Sequence, residues 1–167
     1  MIQVYTGNGK GKTTAALGLA LRASGAGLKV YIAQFAKGRS CSEHKALKKL
    51  KNIKLEQFGS GSLVRYKPQQ VDIQLACQGL KKIEKIIASK KYRVIILDEI
   101  NIALKLRLVS LKDVLGMIKR TPANIELVLT GRYAPVQIIK IADLVSEINE
   151  IKHYYVRGIK ARKGIEL

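Results

Sequence analysis

A glycine-rich loop set between a β-branched run and an alanine-rich stretch constrains this chain more than any other feature. Residues 2–5 read as a strand, residues 13–26 as a helix stopped by Gly25 and Gly27, and Thr6-Gly7-Asn8-Gly9-Lys10-Gly11-Lys12-Thr13-Thr14 joins the two. Short β-branched or apolar runs then recur at residues 29–35, 53–58, 93–97 and 125–130, with a weaker one at 144–148. Between them lie helical patterns, the longest over residues 71–89 with Leu75, Leu80, Ile83 and Ile87 on its apolar stripe. Strands that alternate with helices predict a mainly parallel sheet covered on both faces, most deeply buried at residues 94–97. Residues 59–70, with Gly59, Gly61 and Pro68 and no clear period, predict a loop between a strand and the long helix, a place where sites commonly form.

A glycine loop in that context is a phosphate cradle. Glycines at positions 7, 9 and 11 let successive backbone N–H groups turn inward, the first turn of the helix adds partial positive charge, and Lys12 adds a full one. The Thr13 hydroxyl is placed to meet a magnesium ion bridging phosphates. The general pattern G-x-x-x-x-G-K-[ST] asks for glycine where this chain has Thr6, so the loop is a variant.

Two further strand ends carry chemistry. The run at residues 94–97 delivers Asp98 and Glu99 at its carboxyl end, the edge where open parallel sheets gather ligands. Alone, the two acids read equally as caps of the next helix, which begins near Asn101; paired with the loop, they read as the holders of the metal ion. Thr130-Gly131-Arg132-Tyr133-Ala134-Pro135 puts Arg132 where another strand leaves the sheet, as a two-pronged phosphate clamp or equally as a surface residue of the turn. The whole is expected to be a three-layer α/β fold of the P-loop NTPase-like (RecA-like) kind, one domain over residues 1–167.

Composition sets the remaining bounds. No segment reaches the roughly 20 apolar residues of a membrane span, and the first residues already read as a strand rather than a signal peptide, so a cytoplasmic protein is expected. Cys41 and Cys77 have neither knuckle spacing nor disulfide density, and His44 and His153 lack ligand-like neighbours, so no thiol or histidine metal site is expected. The net charge of +19 would attract nucleic acid, yet its lysines cluster in helical stretches such as residues 45–51 and 81–85, which read as solvated faces. Aromatic residues that would stack bases are few and scattered.

Taken in order on so short a chain, these elements resemble the P-loop type of ATP:corrinoid adenosyltransferase, whose loop shares the leading threonine. Leu97-Asp98-Glu99, the stretch from Thr130 to Pro135, residues 142–147, and the tail at 151–155 and 158–166 are similar to family segments, so the resemblance covers nearly the whole chain. It implies transfer of the 5'-deoxyadenosyl group of ATP to a reduced corrinoid, with triphosphate as leaving group and Mg2+ or Mn2+ as its ion. By that resemblance the ATP site is Thr6 through Thr14 with Arg132, and the metal is held by Thr13, Glu99 and Asp98. The corrinoid is expected beside Phe58, Gly61, Ser62, Val64 and Tyr66, although Ser62 and Val64 stand where the family has aromatics and the chain has no tryptophan. The longer members carry an amino-terminal extension that this chain lacks, so a partner subunit in a homodimer could close the site, and a reductase would supply the electron. The competing reading is an ATP-binding module with a nucleic-acid-binding or regulatory role, which the charge would serve.

Overall fold

The computed structural model describes residues 1–61 and 68–166. In chain order its elements are β1 (Ile2–Thr6), α1 (Lys12–Gly25), β2 (Val30–Phe35), α2 (Ser42–Leu47), β3 (Ile53–Phe58) and α3 (Gln70–Ala88). There follow β4 (Val94–Asp98), α4 (Ile100–Lys105), α5 (Leu111–Arg120), β5 (Glu126–Thr130), α6 (Val136–Ile139), β6 (Leu144–Glu147) and a 3-10 turn at Tyr154–Arg157. All six expected strands form. They make one sheet in the order β3-β2-β4-β5-β1-β6 with every pairing parallel.

Side chains alternate across the sheet and sort into two cores. Tyr31, Ala33, Phe35, Ile95, Leu97, Leu127 and Leu129 face α3, α4 and α5. Val30, Ile32, Val94, Ile96 and Val128 face α1 and α2. Strands β2 and β4, inside the sheet and covered on both faces, are buried at every residue, which is why their sequences are so evenly apolar. Strand β6 lies at the edge and is exposed throughout, which accounts for its weak pattern.

Helix α1 lies on the sheet through Ala16, Ala20 and Ala23, small residues at helical spacing. Helix α5 escapes the sequence reading because its stripe is short, Val114, Met117 and Ile118 among charged residues; it is started by Ser110, whose hydroxyl accepts the Asp113 N–H at 3.1 Å. The stretch expected to be helical from residue 45 forms only as far as Leu47. Its lysines, with those at 81, 82 and 85, are exposed. Among the described residues, no helix is long and apolar enough to cross a membrane.

Candidate active site

Strands β1, β2, β4 and β5 all end at one edge, and the loops leaving them meet there. With β5 between β1 and β4, Asp98 is two strands from the glycine loop, and it is α1, crossing back over the sheet, that closes the gap. Thr13 Oγ1 donates to Asp98 Oδ1 at 2.9 Å, and Thr130 Oγ1 donates to the same oxygen at 2.7 Å. Gln34 Nε2 and Lys37 Nζ donate to Oδ2 at 3.2 and 2.9 Å. The carboxylate is therefore buried, 1% exposed, with four donors converging on it.

Backbone strain gathers at the same edge. Ala36, Glu99 and Tyr133, each just past the end of a strand, have φ of 53°, 61° and 62°. At Glu99 the left-handed turn points its N–H at Thr130 Oγ1, 3.0 Å away, so that one threonine fixes both the side chain of Asp98 and the backbone of its neighbour.

The glycine loop wraps as the sequence demands. A Cβ on Gly7 would come 2.4 Å from the Ile148 carbonyl oxygen, and one on Gly9 would come 2.8 Å from the same atom. The Gly9 N–H donates to that carbonyl at 2.7 Å, so the loop is braced on the chain leaving β6. Lys12 is buried with its ammonium on the Gly9 carbonyl at 2.6 Å. Thr6 Oγ1 accepts the Ala134 N–H at 3.4 Å, a tie to the exit of β5 that glycine could not make. Asn8, Lys10 and Thr14 are exposed, and Gly11 has φ of 122°. Arg132 is exposed too, close enough for its charge to bear on Lys12 and Glu99.

Electrostatically the edge is short of negative charge. Burial, then the Arg132 and Lys37 cations, hold the Lys12 ammonium below its ordinary pKa. Burial, together with the Asp98 carboxylate, raises Glu99 despite the nearby cations. For Lys37, burial is outweighed by Asp98 and Glu99, and its pKa is raised. A polyanion entering here would relieve Lys12. Thr13, Asp98 and Glu99 offer only oxygen donors, the kind a hard divalent ion takes. Among the described residues no three His, Cys, Asp or Glu stand together as a metal group, so an ion at this edge would need phosphate oxygens to complete its shell.

Of the residues expected beside a corrinoid, Phe58 packs against the Phe35 ring, centroids 5.8 Å apart, and over Gly79, while the Gly61 carbonyl accepts from Arg39 Nε at 3.0 Å. Ser62, Val64 and Tyr66 lie outside the described residues.

Sequence reasoning overlooked a polar cluster behind Asp98. His44, on α2, is buried; its Nδ1 accepts the Cys41 N–H at 3.1 Å, so Nε2 carries the proton and donates to Gln34 Oε1 at 2.7 Å. Gln34 is thereby oriented with its amide towards Asp98. A glutamine inside a fully buried strand is costly unless paired, and that was the available signal. The tail folds back onto the loop: Glu166 pairs with Lys10 at 3.2 Å, and with Arg162 and Tyr154.

A buried lysine on a glycine turn that opens a helix, with a strand-end carboxylate reached across one intervening strand, defines a P-loop nucleotide-binding protein. The fold agrees with a KaiC-like protein from the hyperthermophilic archaeon Pyrococcus horikoshii, TM-score 0.57 over 91% of this chain and 74% of the other at 20% identity. The model of one family, described as ATP:corrinoid adenosyltransferase BtuR/CobO/CobP, matches residues 1–167. A corrinoid adenosyltransferase of Pseudomonas aeruginosa is 36% identical over 99% of this chain and 83% of its own length. One of Escherichia coli is 31% identical over 99% and 85%. The chain belongs to the ATP:corrinoid adenosyltransferase family, and the activity of that family, adenosylation of a corrinoid in cobalamin biosynthesis, is its own. A purely regulatory or nucleic-acid-binding role is not favoured.

Proposed function

We propose that the edge around Asp98 holds the triphosphate of ATP as a leaving group while the C5' carbon is turned towards a cobalt(I) corrinoid. The observation that carries this reading is the 2.9 Å contact of Thr13 with Asp98 beside the buried Lys12, which brings phosphate cradle and carboxylates into one site. In the transfer, the cobalt electron pair forms the cobalt–carbon bond, and the carbon–oxygen bond breaks with its electrons passing to triphosphate. No proton need move, so the protein's work is alignment and charge neutralisation. Lys12 and the N–H groups of the loop from Thr6 to Thr14 bind the phosphates, and Arg132 clamps them from the β5 side.

An all-oxygen set of Thr13, Asp98 and Glu99, already holding an ammonium on Asp98 and Thr13 at 2.9 and 3.2 Å, fits Mg2+ or Mn2+. When bound, such an ion spreads and neutralises the charge that builds on the departing oxygen. Phe58 and Gly61, with Ser62, Val64 and Tyr66, border the corrinoid. The same reading includes a single domain over residues 1–167, a cytoplasmic setting, a reductase as electron donor and a homodimer that closes the site.

The test is the inorganic product. With ATP, Mg2+ and chemically reduced cobalamin, the visible spectrum should change to that of a light-sensitive cobalt–carbon product and triphosphate should accumulate in equal amount. Orthophosphate and ADP in place of triphosphate would refute the leaving-group geometry.

A further inference from the structure

Lys37 sits where an ion should. Its ammonium is 2.9 Å from Asp98 Oδ2, 3.2 Å from Thr13 Oγ1 and 3.8 Å from Glu99 Oε1. These are the three groups assigned above to the divalent ion. A lysine ammonium is a compact point charge on a flexible stem, and it satisfies the same oxygens that a hard cation would. The two cannot occupy the position together.

The surroundings separate what can move from what cannot. The backbone of Lys37 is pinned: a Cβ on Gly59 would lie 2.6 Å from the Lys37 nitrogen, and one on Gly38 would lie 2.0 Å from the Gly61 nitrogen. The residue before it, Ala36, is held in the left-handed region at φ of 53°. Motion is left to the side chain, which is 31% exposed and so has a path outward. Asp98, by contrast, is held from behind by Gln34 and Thr130, and Gln34 in turn by His44. The carboxylate keeps its place when the ammonium leaves.

We propose that Lys37 is a tethered counter-ion that fills the divalent-ion position in the empty enzyme and gives it up when metal and triphosphate arrive together. This rests on the reading of Thr13, Asp98 and Glu99 as the ion site. It has a consequence for order of binding. A free divalent ion must displace a resident cation and leave it without a partner, whereas an ion arriving with triphosphate brings oxygens to which the released ammonium can turn. The ion therefore binds the empty protein weakly and the nucleotide-loaded protein well.

Mn2+ titration of the nucleotide-free protein, followed by the paramagnetic resonance signal of the unbound ion, decides the matter. Lys37→Met should bind Mn2+ at least about tenfold more tightly than the wild type, about 1.4 kcal/mol by the tenfold conversion. Lys37→Arg, which keeps a cation in place, should bind as weakly as the wild type. Mn2+ should also raise the melting temperature of Lys37→Met more than that of the wild type, since a ligand stabilises the folded state it prefers. Where the methionine variant does not fold, Lys37→Gln, whose amide still donates to Asp98, takes its place. Equal or weaker Mn2+ binding in a folded variant without the cation would overturn the exchange. The double variant with Asp98→Asn separates the two ideas. If it keeps the tight Mn2+ binding, the ion is not at Asp98, and the site assignment falls together with the inference. If Asp98→Asn abolishes Mn2+ binding in the nucleotide-loaded protein while Lys37→Met matches wild type in the empty one, only the exchange fails.

Discussion

Under α1 the sheet is covered by Ala16, Ala20 and Ala23, whereas the opposite face is filled by Ile83, Ile87, Leu108, Met117 and Ile118 from α3, α5 and the chain between them. Both faces bury apolar surface, but the first buries little per residue and the second a great deal. What the alanines provide is approach. With alanine at its buried apolar positions, α1 can lie close to β4 and β5, and its first turn can put Thr13 within a hydrogen bond of Asp98. The bulky face supplies cohesion, and among the described residues it gives these atoms no hydrogen bond. Packing of one sheet is thus divided between a side that fixes the phosphate end of the site and a side that holds the fold, and the division can be broken from either side.

The largest effect is expected at the head of the close face. Lys12→Ala should lower kcat/KM for ATP by at least about 10²-fold, the range for removing one preorganised electrostatic contact. Its effect on stability should be small. Because Lys12 has a lowered pKa in the folded protein, its charged form is disfavoured by folding at neutral pH, and that penalty disappears with the side chain, offsetting the lost bond to the Gly9 carbonyl. Titration with ATP and a thermal melt on the same sample check both halves. A variant that still turns over normally would remove the loop from the site.

How much of this was legible in the chain follows from where each constraint resides. The six strands and the long helix could be read because burial on both faces forces continuous apolar runs, as in Val94–Asp98, and a one-sided helix forces a stripe, as in Gln70–Ala88. Asp98, Glu99 and Lys12 could be read because a strand end and a glycine turn mark them locally. Lys37 could not. In sequence it is one more cation of 31, in a turn with Gly38 and Arg39, and its meaning comes from β2 lying beside β4, a pairing between segments more than sixty residues apart. His44 has no ligand-like neighbour at helical spacing, and its partner, Gln34, lies on a different element, strand β2. Thr6 shows the reverse: a departure from the general motif that reads as a defect in sequence is, in the fold, a tie between β1 and the exit of β5.

The next effect in size tests the close face itself. Ala16 is one turn beyond Lys12 on the same side of α1 and is fully buried. Ala16→Leu should destabilise by about 1–3 kcal/mol through overpacking. It should also lift the first turn away from β4, and a misplacement of about 1 Å near reacting groups can cost 10²-fold in rate. The expectation is a loss of kcat well beyond what the fraction of unfolded protein explains, measured at a temperature where circular dichroism shows the variant folded. Activity that tracks only the folded fraction would mean that closeness of α1 is incidental.

Its counterpart on the bulky face gives the smallest effect and the sharpest contrast. Ile83, fully buried on α3 against the opposite side of the sheet, loses one methylene in Ile83→Val, for a cost of about 0.5–1.5 kcal/mol. Denaturant midpoints should fall accordingly, while kcat and the KM for ATP stay at wild-type values, because no atom of that face positions Thr13, Lys12 or Asp98. Should kcat fall in Ile83→Val as it does in Ala16→Leu, the sheet would have to be transmitting strain through its thickness, and the two faces could no longer be assigned separate work.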